Sequence, residues 1–161
     1  MPQVLILMGS DSDAPVMQAA VETLRDFGIT SEMTVASAHR SPARVMKLVN
    51  EAPGRGVKVF IVGAGAAAHL GGVVAAHTTL PVIGVPIDSS ALKGLDALLS
   101  TVQMPPGVPV ATVAIGKPGA TNAGILAAQM IALADPAVAA RLRDHKKMLE
   151  EKVEAAARRL T

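Results

Sequence analysis

Three short polar segments hold most of the residues that could do chemistry. Gly9-Ser10-Asp11-Ser12-Asp13 places two hydroxyls and two carboxylates in five residues. One such group serves to cap a helix, and Ser12 or Asp13 stands in the right place for that. The others exceed what a cap needs. A carboxylate suits a ribose diol, and hydroxyls at the positive end of a helix suit a phosphate. Ser37-Ala38-His39-Arg40-Ser41 puts an imidazole beside a permanent cation. Imidazole exchanges protons near neutral pH, and a guanidinium fork binds phosphate oxygens in pairs. Gly63-Ala64-Gly65-Ala66-Ala67-Ala68-His69 offers glycines that let a ligand approach the backbone, and then a third polar group. His69 is either a ligand contact or a helix-face histidine bonded to a carbonyl. His77 and His145 fall within helices and read as structural. Four histidines without a cysteine, and without HExxH spacing, point to no metal site.

The elements that must position these segments follow a strand-then-helix rhythm. Val4–Met8 is an apolar run, followed by a helix that opens near Asp13-Ala14-Pro15 and ends at Gly28. A second strand covers 32–36, and Ser41-Pro42 opens a helix reaching Ala52. Further strands are expected over 57–62, 81–87 and 109–114, with 63–66 a loop. Further helices are expected over 67–77, 95–103 and 119–134. Asp135-Pro136 caps and opens a last helix running almost to Thr161. Strands too apolar to have a solvated face, alternating with helices, mean a parallel sheet covered on both sides. The expected fold is α/β: one domain over 1–161, a three-layer doubly wound parallel sheet in the flavodoxin-like order 2-1-3-4-5, with a long C-terminal helix. In that order the switch point lies between the first and third strands. Ligands bind there, beyond the carboxyl ends of the strands, where the three polar segments begin.

Composition narrows the function classes. The chain has 161 residues, half of them apolar and 17% charged, so it can build a real core. It has no Trp, Tyr or Cys, which removes stacking platforms for single-stranded nucleic acid, disulfides and thiolate chemistry. The net charge of +2 is local. Residues 141–161 hold seven basic and four acidic residues, a +3 excess, and the rest of the chain has eight against nine. Opposite charges at i,i+4, such as Glu154 and Arg158, read as a solvated helix face rather than a nucleic-acid patch. The glycines in 59–76 split that apolar stretch into strand and helix, so no membrane span is expected. Met-Pro-Gln runs straight into the first strand, which reads as a cytoplasmic protein without a signal peptide. The helix over 119–134 is apolar nearly all round. With the helix after it, it is expected to pack on neighbouring copies in a homo-oligomer. Gly63 to Ala68 also fits the lax dinucleotide fingerprint, with Asp88 near the end of the next strand, so a NAD-type dinucleotide-binding protein is the alternative.

Five blocks in order carry a resemblance: Met8–Asp13, Ser37–Pro42, Gly63–Leu70, Leu80–Pro86 and Val102–Ile115. Across about residues 3–160 the chain resembles the N5-carboxyaminoimidazole ribonucleotide mutase family of purine biosynthesis. The resemblance implies a cofactor-free transfer of a carboxylate from N5 to C4 of the imidazole ribonucleotide, through CO2 held in a closed pocket. It assigns the proton shuttle to His39 and puts His69 beside the carboxylate. Substrate contacts fall on Ser10, Ser12, Asp13, Ser37, Arg40, Gly63, Ala64, Gly65, Ala66 and Leu70, with Asp13 on the ribose and Arg40 on the phosphate. It also implies an octamer. A related branch that carboxylates aminoimidazole ribonucleotide directly tends to have Lys after the loop histidine, where this chain has Arg40. Two positions depart from the family: Ala66 replaces a usual Gly, and Gly71 a usual Pro.

Overall fold

The computed structural model describes residues 1–160; Thr161, the last residue of the expected domain, lies outside the described residues. Five parallel strands form one sheet in the order β2-β1-β3-β4-β5: β1 Val4–Met8, β2 Ser31–Val35, β3 Val59–Gly65, β4 Val82–Ile87 and β5 Ala111–Thr112. Six helices surround it: α1 Ala14–Asp26, α2 Pro42–Glu51, α3 Leu70–Ala76, α4 Leu95–Val102, α5 Lys117–Ala132 and α6 Pro136–Arg158. The expected class and strand order are those observed.

Every residue of β1 is buried, because both faces of a central parallel strand are covered. Alternate residues feed two cores. Val4, Ile6 and Met8 join α1, α5 and the start of α6, whereas Leu5 and Leu7 join α2 and α3. Helix α5 presents Ala120, Ala123, Ala127, Ala128 and Ile131 inward, and its larger residues Ile125, Leu126 and Met130 pack at the edge of the same core. Much of the helix expected to need neighbouring copies is therefore covered within the chain. Small inward residues let it sit close enough for its own fold to bury it. Exposed apolar residues gather elsewhere, at Leu92, Leu95, Leu99 and Val102 on and before α4, and at Met148, Leu149 and Val153 on α6.

Several boundaries differ from expectation for physical reasons. Strand β3 runs to Gly65, since Gly63, Ala64 and Gly65 pair with Val85, Pro86 and Ile87. The glycines are thus strand residues, not a loop. Helix α3 starts at Leu70 rather than 67, because Ala66 turns left-handed (φ +50) and the His69 N–H bonds to the Ala67 carbonyl at 2.8 Å. Strand β5 keeps only two of the expected residues. It is an edge strand, and Pro109 just before it has no N–H for a ladder. Asp135 does cap α6, accepting from Ala137 N at 3.0 Å and Val138 N at 3.2 Å. At α1 a 3-10 turn over Asp11–Asp13 precedes the helix, capped by Ser10, and neither Ser12 nor Asp13 caps with its side chain.

Gly71 lies in the first turn of α3, where an added Cβ would meet only Val110 Cγ1, at an ordinary 3.7 Å. Gly71→Ala is expected to stabilise the fold by roughly 0.5 kcal/mol, by reducing the backbone freedom of the unfolded chain. Denaturant unfolding measures it; a destabilised variant would mean that the small residue is needed there.

Candidate functional site

β1 and β2 end level with one another, and β3 runs two residues farther, to Gly65. Met8 pairs with Val35 on one side and with Gly63 on the other, so the segments that follow β1, β2 and β3 leave the sheet side by side. Their residues line a cleft of about 190 Å³ that includes Ser10, Ser12, Asp13, Ser37, His39, Arg40, Ala64, Gly65, His69 and Leu70. Gly9, Ala38, Ala67 and Ser89 complete the wall. A second hollow of about 310 Å³ shares Gly9, Ser10, Ser37 and Arg40 with the cleft wall and is completed by Asp11, Val35 and Ser41.

A side-chain contact across the cleft joins two histidines. His39 Nε2 lies 2.8 Å from His69 Nδ1, with the rings edge-on at 76°. One imidazole must donate and the other accept, so a proton sits between them. His77 instead bonds through Nδ1 to the Val73 carbonyl at 2.8 Å, and His145 stacks edge-on against Phe27. Both stand apart from the cleft, as the sequence implied.

Arg40 is aimed by its own loop. Its backbone N–H donates to Ser37 Oγ at 3.1 Å, and its guanidinium donates to the Gly9 carbonyl at 2.8 Å. One end of a planar fork therefore spans from the β2 loop to the β1 loop. The sequence places Ser41 as the cap of α2, but its side chain makes no capping bond. Its hydroxyl closes the turn, accepting from Ser37 N at 3.0 Å. Ser10 Oγ accepts from Ser12 Oγ at 2.9 Å and from Ser12 N at 3.3 Å.

Asp13 carries the one strongly desolvated charge of the site. It is 5% exposed, and burial pushes its carboxyl up from the ordinary value, against the opposing pull of a backbone hydrogen bond from Ser10 and of the Arg40 charge. A raised native value means that ionised Asp13 lowers stability: the contribution is favourable at low pH and is lost as pH rises through the native value. Asp13→Asn is therefore expected to unfold at higher temperature than the parent chain near pH 7, and to bind its ligand more weakly. Thermal melts at pH 7, paired with ligand titration, check it. A less stable Asn variant would mean that the carboxylate supports the fold rather than the ligand.

Two expected residues lie outside the wall. Gly63 is buried in β3, where a Cβ would press on Met17 Sδ and on Ile87, so its small size serves packing. Ala66 is exposed on the turn, and its methyl does not line the cleft. Gly65 does line it, with the Ser89 hydroxyl directly over its Cα. Ser89 follows β4, and the same rule about strand carboxyl ends would have found it had the fourth loop been weighed. The dinucleotide alternative is not supported. It needs a glycine turn opening straight onto a helix N-terminus, and here Gly63 and Gly65 are paired strand residues followed by a four-residue turn.

A parallel doubly wound sheet, with a polar cleft at the β1/β3 switch point and a histidine pair across it, defines a small-ligand α/β protein equipped for acid–base chemistry. Residues 3–152 match the AIR carboxylase family, and the chain belongs to it. It is 53% identical over 160 residues to the N5-carboxyaminoimidazole ribonucleotide mutase of Thermotoga maritima, covering 99% of this chain and 92% of that protein. The protein of the same name from Bacillus subtilis is 51% identical over 152 residues, 94% of each chain. The crystal structure of Treponema denticola PurE superposes with a TM-score of 0.91 at 28% identity, over 100% of this chain and 99% of that one.

Proposed function

We propose that this chain moves a carboxylate from N5 to C4 of carboxyaminoimidazole ribonucleotide in de novo purine biosynthesis, as the names of its relatives imply. The observation that carries the reading is the His39–His69 pair at 2.8 Å, set beside a Ser/Asp/Arg cradle in one cleft. The N5–carboxylate bond breaks to give CO2 and the aminoimidazole, and the C4 carbon then attacks that CO2. One proton must leave C4 and one must arrive at N5. His39 is the carrier, and His69, hydrogen-bonded to it, orients it and lies beside the carboxylate. Asp13 accepts from the ribose hydroxyls. Arg40, with Ser10, Ser12 and Ser37, binds the phosphate, and the hollow lined by Arg40, Ser10 and Ser37 leaves room for it. Ala64, Gly65 and Leu70 close over the base and keep CO2 from water. No cofactor enters this scheme.

The test is an ultraviolet assay without ATP or added metal, comparing kcat/KM for the N-carboxylated nucleotide with that for aminoimidazole ribonucleotide at low bicarbonate. Turnover of the first, with only slow use of the second, is expected. Efficient use of aminoimidazole ribonucleotide with CO2, and none of the N-carboxylated compound, would place the chain with direct carboxylases.

The single domain works as a homo-oligomer in this reading, an octamer by family resemblance, in the cytoplasm. The exposed leucines of α4 and the bare apolar side of α6 are surfaces that neighbouring copies would cover. Among the described residues no helix is long and apolar enough to cross a membrane. Light scattering at micromolar concentration is expected to give a mass several times that of one chain; a monomer would remove the assembly.

A further inference from the structure

The turn that carries His69 has one backbone bond of its own, from the His69 N–H to the Ala67 carbonyl at 2.8 Å. Ala66 is left-handed at φ +50, a conformation that L-residues other than Asn and Asp adopt at a cost, and Ala66 and Ala67 are both exposed. Helix α3 behind it has no side-chain cap, since His69 occupies the cap position without capping. The turn is also held from outside, by α4. The Ala68 N–H donates to Ser100 Oγ at 3.1 Å, and Ala68 itself is buried. The nearest acceptor for the Ser100 proton is the Asp96 carbonyl of its own helix, at 2.8 Å, with the Ala97 carbonyl at 3.2 Å and the Ala66 carbonyl of the turn at 3.4 Å, so a lone pair stays free for the Ala68 N–H.

One turn earlier on α4, Asp96 treats the neighbouring loop in the same way. The Ser90 hydroxyl donates to Asp96 Oδ2 at 2.6 Å, next to Ser89 in the cleft wall. That bond also holds the Asp96 carboxyl below its ordinary value. The segments that follow β3 and β4 thus hang on one face of one helix, and neither Asp96 nor Ser100 lines the cleft.

We propose that Ser100 is a positioning residue of the reaction: its hydroxyl, by accepting from the Ala68 N–H, sets the turn that holds His69 against His39. Without it the buried Ala68 N–H loses its partner, the left-handed turn can relax, and the 2.8 Å contact between the imidazoles is no longer enforced. A proton carrier misplaced by about an ångström loses rate rather than binding.

This inference rests on the site reading above, and its test separates the two. Ser100→Ala is expected to lower kcat about 10- to 100-fold with KM little changed, whereas Ser100→Thr, which keeps the hydroxyl, retains the parent rate. In the ligand-free protein, the imidazole 15N signals of His39 and His69 should move in the Ala variant and stay in the Thr variant. Parent kcat in Ser100→Ala, equal losses in both variants, or a fall in kcat with unmoved imidazole signals would each overturn the proposal. Parent turnover in His39→Asn would instead overturn the site reading, while the imidazole signals would still report what Ser100 holds in place.

Discussion

His39→Asn is expected to lower turnover by about 10²–10⁴-fold while the nucleotide still binds. Asn is near imidazole in size and keeps hydrogen bonding, but it neither takes nor gives a proton at neutral pH. The transfer needs one proton removed from carbon and one delivered to nitrogen. Its proton carrier in the proposed reading is His39, which its own loop sets beside Ser37 and Arg40 in the cleft. Its partner cannot simply take over. His69 Nδ1 is bonded to His39 Nε2, and its ring is aimed by a different turn. Rapid-quench turnover together with equilibrium binding of the product separates the effects. Turnover within threefold of the parent chain would remove His39 from the chemistry.

Arg40→Ala is expected to weaken nucleotide binding about 10- to 100-fold, the loss of charge-assisted hydrogen bonds to a phosphate. The dephosphorylated nucleoside should lose far less. That contrast matters because Arg40 also donates to the Gly9 carbonyl at 2.8 Å, so its removal frees the β1 loop as well. Arg40→Lys should fall between, since an ammonium keeps the charge and loses the planar fork. Equal losses for nucleotide and nucleoside would mean that Arg40 only ties loops together, and the phosphate assignment would fall.

These residues were legible for an elementary reason. A short polar segment that ends a buried strand and opens a helix lies at the one edge of a doubly wound sheet where ligands bind. Ser10, Asp13, His39 and Arg40 all met that condition, and all line the cleft. Gly63 and Ala66 met it by position and still lie outside the wall. Sequence spacing treats a glycine pair as a loop, whereas pairing with Val85 and Ile87 keeps both glycines in the strand. The same blindness to pairing put the start of α3 at 67 instead of Leu70.

By itself the sequence determined the strand order, the two covered faces and the edge that carries the site. Unbroken apolar runs such as Val4–Met8 can be satisfied only between two layers, and proline and cap residues mark where helices begin. Tertiary structure alone decided which groups meet. His39 and His69 are thirty residues apart and touch because β1 holds β2 and β3 level at Met8. Ser89 enters the wall through the pairing of β4 with β3, and Ser100 reaches Ala68 because α4 packs beside that same pair. A local pattern records what a segment must bury. It does not record the register between segments, and contacts of about 3 Å between side chains from different strands and helices depend on that register.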